Sequence, residues 1–197
     1  MDNERLEKQI EFIVEIDKLK KVCRQTVLMD GSRHENDAEH SWHLAVMAML
    51  LSEYAVDKGI NVSKVIKMVL IHDIIEIDAG DTFCYDDKAH EDKQEREQRA
   101  AERLFSILPP DQAKELMGLW QEFEERKTIE ARFAAALDRL QPLLHNYHTN
   151  GHSWQKHHIT SDRVIERNGA IEEASNVLWN YAKELIDKAV DKGFLMP

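Results

Sequence analysis

The sequence predicts an all-α protein, a single-domain helical bundle. Apolar residues recur at three- and four-residue intervals along most of the chain, the spacing of one face of an α-helix. Four Pro and seven Gly in 197 residues leave little material for long loops or for a strand-rich sandwich. No internal repeat, low-complexity tract or linker-like segment divides the chain, so residues 1–197 are expected to form one domain.

The elements follow in order. Residues 3 to 24 carry Leu6, Ile10, Ile13, Ile16 and Leu19 on or near one stripe, which predicts an amphipathic first helix. It ends in Lys18, Lys20, Lys21 and Arg24, read either as a solvated helix end or as a phosphate contact. Met29 to Asp37 is a polar turn built on Gly31, Ser32 and Asn36. A second helix, from near Asp37 to about Lys58, is apolar on every face between Leu44 and Leu51, the pattern of a central, buried element. Asn61 and Ser63 offer N-caps for a third helix, and Gly80 is its natural stop. Asp81 to Asp87 is an acidic loop. Residues 88 to 108 predict a charged helix that buries Ala100, Ala101, Leu104 and Phe105. After Pro109-Pro110, Asp111 opens a helix whose stripe of Ala113, Leu116, Met117, Trp120 and Phe123 reads as core or as a dimer face. The sixth helix, Thr128 to His148, turns Ile129, Phe133, Ala136, Leu137 and Leu140 inward, with a kink expected at Pro142. His145, His148, His152, His157 and His158 are irregularly spaced and read as surface groups. A last helix, about Ser161 to Lys192, packs through Ile171, Ala174, Leu178, Tyr181 and Leu185.

A net charge of −11 argues against a general nucleic-acid or membrane-surface binder, which needs an extended basic patch. It leaves room for a small phosphate ligand held by one or two local cations. Cys23 and Cys84 form no disulfide framework and read as reduced thiols. There is no apolar signal core and no run long enough to span a bilayer, so a cytoplasmic protein is expected.

The chemistry concentrates between Val69 and Asp81. There an apolar run is interrupted by His72, Asp73, Glu76 and Asp78. Ionisable groups are rarely left unpartnered in apolar surroundings, because an unpaired buried charge costs several kcal/mol. On a helix, His72 and Asp73 could converge with Glu76 on one side. An imidazole and a carboxylate together suit a transition metal such as Zn, Mn, Fe, Co or Ni. His40 and His43 begin the second helix, where one is expected to bind metal and the other to be structural. Asp138 is a further acid in the dry run Phe133 to Leu144. His40, His72, Asp73 and Asp138 thus make a plausible shell of two nitrogens and two carboxylates with an open position for water. Glu76 would hydrogen-bond that water or pass a proton to a leaving group.

Ala38-Glu39-His40-Ser41, Ile71-His72-Asp73 with Glu76 and Gly80-Asp81, and Ala136-Leu137-Asp138-Arg139-Leu140 together resemble the HD-domain metal-dependent phosphohydrolases. The finer pattern, with an Arg ahead of Arg33-His34-Glu35-Asn36-Asp37-Ala38-Glu39-His40, is similar to the 5′-deoxynucleotidase branch. The resemblance covers roughly residues 15 to 150 and implies a helical bundle of the HD-domain type. It implies that His40, His72, Asp73 and Asp138 hold one divalent ion (Co, Mn, Zn, Fe, Ni or Mg) and that Glu76 acts on the attacking water. Asp81 would lie near the leaving oxygen or the sugar, and Arg24 would hold the phosphate. It further implies a nucleoside monophosphate substrate and a homodimer. One departure is visible: the deoxynucleotidases carry an aromatic residue directly after that Arg, where this chain has Gln25, which weakens the implied deoxyribose selectivity. The alternative function is a non-catalytic or regulatory HD protein that binds metal and nucleotide without turnover. It needs neither Glu76 nor Asp81. A di-iron oxygenase would need further histidine ligands, and no second His pair at helical spacing follows Asp73.

Overall fold

The computed structural model describes residues 3–86 and 92–197. Asp87 and the expected beginning of the charged helix at 88–91 lie outside the described residues. The chain is a helical bundle with one small hairpin. In order it forms α1 (Asn3–Ile16), a 3₁₀ turn (Asp17–Lys21), β1 (Cys23–Val27), β2 (His34–Asn36), α2 (Asp37–Leu51) and α3 (Val62–Ile71). A 3₁₀ segment (His72–Ile75) leads into α4 (Glu76–Ala79), followed by α5 (Lys93–Phe105), α6 (Pro110–Glu125) and α7 (Ile129–His148). Four helices close the fold: α8 (His152–Lys156), α9 (Ser161–Asn168), α10 (Ile171–Ala174) and α11 (Asn176–Asp191).

The first expected helix is shorter than its apolar stripe suggests. It stops at Ile16, and after one 3₁₀ turn the chain extends into β1. The expected polar turn is present, with Gly31 at φ 73, but its flanks pair antiparallel, Cys23 with Asn36 and Val27 with His34. Arg24 therefore sits on a strand and not at a helix end. Asn36 then caps α2: its side chain accepts from Glu39 N at 2.9 Å, and the Glu39 carboxylate accepts from Asn36 N at 3.3 Å. This reciprocal cap fixes where the hairpin stops and the helix starts.

α2 buries one face, through Leu44, Ala45, Met47 and Ala48, while Trp42, Met49 and Leu50 are exposed. The all-apolar run therefore belongs to a helix at the surface and not to a central one. The third expected helix is interrupted: α-geometry gives way to 3₁₀ at His72 and resumes at Glu76, and Gly80, at φ 75, ends it. Trp120 and Phe123 are buried in the monomer, so their stripe is core and is not free to form a dimer face. α7 runs without interruption through Pro142. The expected last helix is broken into three by Gly169 and Ser175. Ser175 caps α11 by accepting from Leu178 N at 3.2 Å and donates to Tyr54 O at 2.7 Å.

Two apolar cores result. The larger joins α2, α3, α6, α7, α10 and α11 around Leu44, Met68, Phe133 and Leu137. The smaller joins α1, the 3₁₀ segment, α4, α5 and α6 around Phe12, Ile74, Leu104 and Phe105. Ile71 and Leu116 pack on both. His72 and Asp73 follow Ile71 directly, so the chemical groups emerge where the two cores meet.

Candidate metal centre and adjoining cavity

The four expected ligands come together from three elements. α2 supplies His40, the 3₁₀ segment supplies His72 and Asp73, and α7 supplies Asp138. One ligand atom from each of His40, His72 and Asp73 lies within 4.8 Å of the others, and all three residues are buried. His40 Nε2 is 3.0 Å from Asp138 Oδ1, His72 Nε2 is 3.7 Å from the same oxygen, and His72 Nε2 is 3.1 Å from Asp73 Oδ1. The 3₁₀ geometry matters here. It holds neighbouring His72 and Asp73 close enough for their side chains to meet.

Both imidazoles are set for a cation by what their other nitrogen does. His72 Nδ1–H donates to Val69 O at 2.9 Å, leaving Nε2 as a lone pair. That nitrogen is buried and has no hydrogen-bond partner among the described residues. His40 Nδ1–H donates to Gln141 Oε1 at 3.1 Å, so Nε2 also faces its carboxylate as an acceptor. Two acceptors at that distance need a positive centre between them. A divalent ion fits this donor set, and so does a proton. Burial and the Arg24 charge push the His40 imidazole down, yet its hydrogen bond to Asp138, the nearby Glu35 carboxylate and the charge of Asp73 lift it to about 9. Burial pushes the Asp138 carboxyl up, and the hydrogen bonds of His40 and His72 outweigh it and hold it well below the carboxylate range.

Arg24 reaches this centre from β1. Its Nη1 donates to Asp73 Oδ2 at 2.8 Å and to Asp37 Oδ1 at 3.2 Å, with Asp81 Oδ1 at 4.0 Å; Nη2 is 3.9 Å from Asp138 Oδ1. One guanidinium thus stands among four carboxylates. Asp37 is fully buried, and burial together with the Asp73 charge pushes its carboxyl up to about 8. Glu76 opens α4 with Oε2 buried and unpartnered, and burial followed by the charge of Asp73 pushes its carboxyl up to about 10. Asp81, after the Gly80 turn, is pushed up by burial against the pull of Arg24.

A cavity of about 80 Å³ opens beside the centre. Arg24, Gln25, Asp81 and Asp138 line it, with Phe83, Tyr85, Arg139, Trp154, Arg167 and Asn168 on its other walls. Gln25 accepts from Lys156 Nζ at 3.3 Å.

Sequence reasoning missed a buried network behind His40. Gln141 Nε2 donates to Glu35 Oε1 at 2.6 Å and to His145 Nε2 at 2.9 Å, with His43 Nδ1 at 3.3 Å. His145 Nδ1–H donates to Val27 O at 2.9 Å. His145 is therefore a core group and not the surface histidine its irregular neighbours suggested; His148, His152 and His158 are exposed. Glu35, His43 and His145 also have ligand-like spacing, but the Gln141 amide nitrogen already occupies the space between them. One signal was available. Asp138, Gln141 and His145 follow at intervals of three and four along an otherwise apolar helix.

A helical scaffold that gathers two histidines and two aspartates from three elements defines a metal-binding α-bundle. Comparison with known proteins narrows this. The HD domain family matches residues 16–179, and the chain belongs to it. The 5′-deoxynucleotidase HDDC2 of Homo sapiens is 32% identical over 136 residues, 68% of this chain and 65% of the human protein. The 5′-deoxynucleotidase HDDC2 of Dictyostelium discoideum is 32% identical over 143 residues, 70% of this chain and 75% of that protein. This chain thus spans just under two thirds of the human relative's length. A solved structure from Magnetospirillum magnetotacticum MS-1, described as a predicted metal-dependent phosphohydrolase, superimposes with a TM-score of 0.95. It is 57% identical and covers 98% of this chain and 97% of its own.

Proposed function

We propose that the chain is a metal-dependent phosphomonoesterase, a 5′-nucleotidase that removes phosphate from (deoxy)nucleoside 5′-monophosphates, acting in the cytoplasm as a homodimer. The observation that carries the reading is the convergence of His40, His72, Asp73 and Asp138 around a buried, unpartnered His72 nitrogen. The names of the human, Dictyostelium and Magnetospirillum relatives support it. A divalent ion held by these four groups supplies Lewis acidity and neutralises charge for the attack of water on phosphorus.

The chain's own residues do the remaining work. Glu76 has a buried carboxyl oxygen without a partner; it hydrogen-bonds the attacking water and passes a proton to the leaving oxygen. Asp81 and Gln25, both lining the cavity, face the sugar and the leaving oxygen. Arg24 braces Asp73 and contacts the phosphate from the same cavity. An enclosed acid of this kind favours an enzyme over a non-catalytic regulator, which has no use for it. Free thiols at Cys23 and Cys84 suit a reducing compartment, and no helix among the described residues is long and apolar enough to cross a membrane.

The test is a screen of nucleoside monophosphates and other phosphorylated metabolites with Co, Mn, Zn, Fe, Ni or Mg supplied in turn. Glu76→Gln is expected to keep its metal while turnover falls by at least about a hundredfold. If the wild-type protein, with metal bound, hydrolyses no phosphomonoester under any of these ions, the reading is lost. Parallel loss of metal and activity in Glu76→Gln would make Glu76 a ligand.

A further inference from the structure

We propose that Arg139 and Arg167 form the cationic wall of the phosphate subsite; this rests on the phosphomonoesterase reading above. Arg139 projects from the middle of α7 and Arg167 from the end of α9, and both line the 80 Å³ cavity that Asp138, Arg24 and Asp81 also line. Neither arginine has a hydrogen-bond or ion-pair partner among the described residues, although 37 acids are present in the chain. Two half-buried guanidiniums on one cavity, neither of them in an ion pair, repel each other. Such a pair is favourable when an anion sits between them, since the planar fork of each matches phosphate oxygens.

Charge balance at the centre points the same way. Arg24 is within 4.0 Å of Asp37, Asp73, Asp81 and Asp138, so its single charge is already shared among acids. A phosphate entering the cavity needs further positive charge, and Arg139 and Arg167 are the groups on its walls that hold it uncommitted. A C-terminal cation is ordinary on a helix, which would account for Arg167 alone. It does not account for Arg139, which lies mid-helix.

A second, independent feature marks the same walls as a ligand site. Asn168 is buried and lines the cavity; its Nδ2 donates to Val164 O at 2.8 Å, but its Oδ1 has no partner. A buried acceptor left open calls for a donor, and a hydroxyl next to the phosphate supplies one. The volume suits this division. At about 80 Å³ the cavity is small beside the roughly 300–1,000 Å³ that encloses a whole drug-sized ligand. It takes the phosphate end of a substrate, with Asp81 and Gln25 on the walls toward the sugar.

The test uses the metal-loaded protein and inorganic phosphate, titrated by calorimetry, with KM for a phosphomonoester measured alongside. Arg139→Gln and Arg167→Gln are each expected to weaken phosphate binding at least about tenfold with metal content unchanged. Arg99→Gln, an exposed arginine on α5 outside the cavity lining, is expected to leave it unchanged. Where a Gln variant does not fold, Arg→Lys at that position carries the test, with a loss of at least about threefold expected because a point charge replaces the fork. Affinity within about twofold of wild type in the folded variants overturns the proposal, and so does a wild-type protein that binds no phosphate at millimolar concentration. Arginine-dependent phosphate binding without hydrolysis of any phosphomonoester would leave this subsite standing and remove the enzyme. Hydrolysis with unchanged KM in both variants would do the reverse.

Discussion

Replacing Gln141 with Leu removes the centre of the network behind His40 while keeping a side chain of similar size. Gln141 is 0% exposed, so water does not replace what is lost. Three buried groups lose a partner: the His40 Nδ1–H at 3.1 Å, the Glu35 carboxylate at 2.6 Å and His145 Nε2 at 2.9 Å. A buried polar group left unsatisfied costs about 1–3 kcal/mol, more for a charged one. His40 Nδ1 has a fallback in Glu35 Oε2 at 3.7 Å, which moves the sum toward the lower half of that range. The expected loss is about 3–5 kcal/mol, a large part of the roughly 5–15 kcal/mol that holds a domain folded. It is read as a lower urea midpoint with an unchanged slope. Because Gln141 also fixes the tautomer and ring angle of His40, metal affinity is expected to fall about 10–100-fold. A loss below about 1 kcal/mol with unaltered metal affinity would reduce Gln141 to a packing residue and refute the reasoning.

Glu122 joins α3, α6 and the cap of α7, accepting from Lys64 Nζ and Thr128 Oγ1, both at 2.6 Å. Burial pushes its carboxyl up, and those two bonds outweigh it and hold it below the usual glutamate range. Its stabilisation is therefore full above the unfolded value and lost as pH falls through the lower folded one. The Tm deficit of Glu122→Gln should be largest at neutral pH and shrink in acid; equal deficits at about pH 7 and pH 3 would refute this. Gln25→Trp should shift kcat/KM toward deoxyribonucleotides by about 1–2 kcal/mol, since a ring leaves a 2′-hydroxyl without the partner an amide offers. Strong rejection of every ribonucleotide by the wild-type protein would place sugar selection elsewhere. Light scattering should give a dimer of the 22.9 kDa chain, formed through exposed apolar groups such as Leu6, Ile10, Ile13 and Leu70; a monomer across micromolar concentrations rules it out.

Local rules carried much of the architecture. Helical periodicity, the Asn36 and Asn61 caps, the Gly80 stop and the Pro109-Pro110 break each act within a few residues, and each is found where the chain writes it. The grouping of His40, His72, Asp73 and Asp138 was legible for a related reason. Ionisable groups inside apolar runs stand out because burying them alone is so unfavourable.

What the chain could not show in one dimension was decided by packing. The β1–β2 pairing is too short to leave a periodic signal, yet it moves Arg24 from an expected helix end to a strand among four carboxylates. The exposed face of α2 and the breaks at Gly169 and Ser175 depend on which neighbours arrive to cover each surface. Glu35 looks like an ordinary polar residue in sequence, and the spacing of Gln141 and His145 marks only a polar stripe; their role comes from burial among three elements. The same holds for Arg139 and Arg167, 28 positions apart in the numbering. Whether an arginine finds a carboxylate or faces a cavity alone is settled by long-range contacts, and no local pattern in the sequence encodes those.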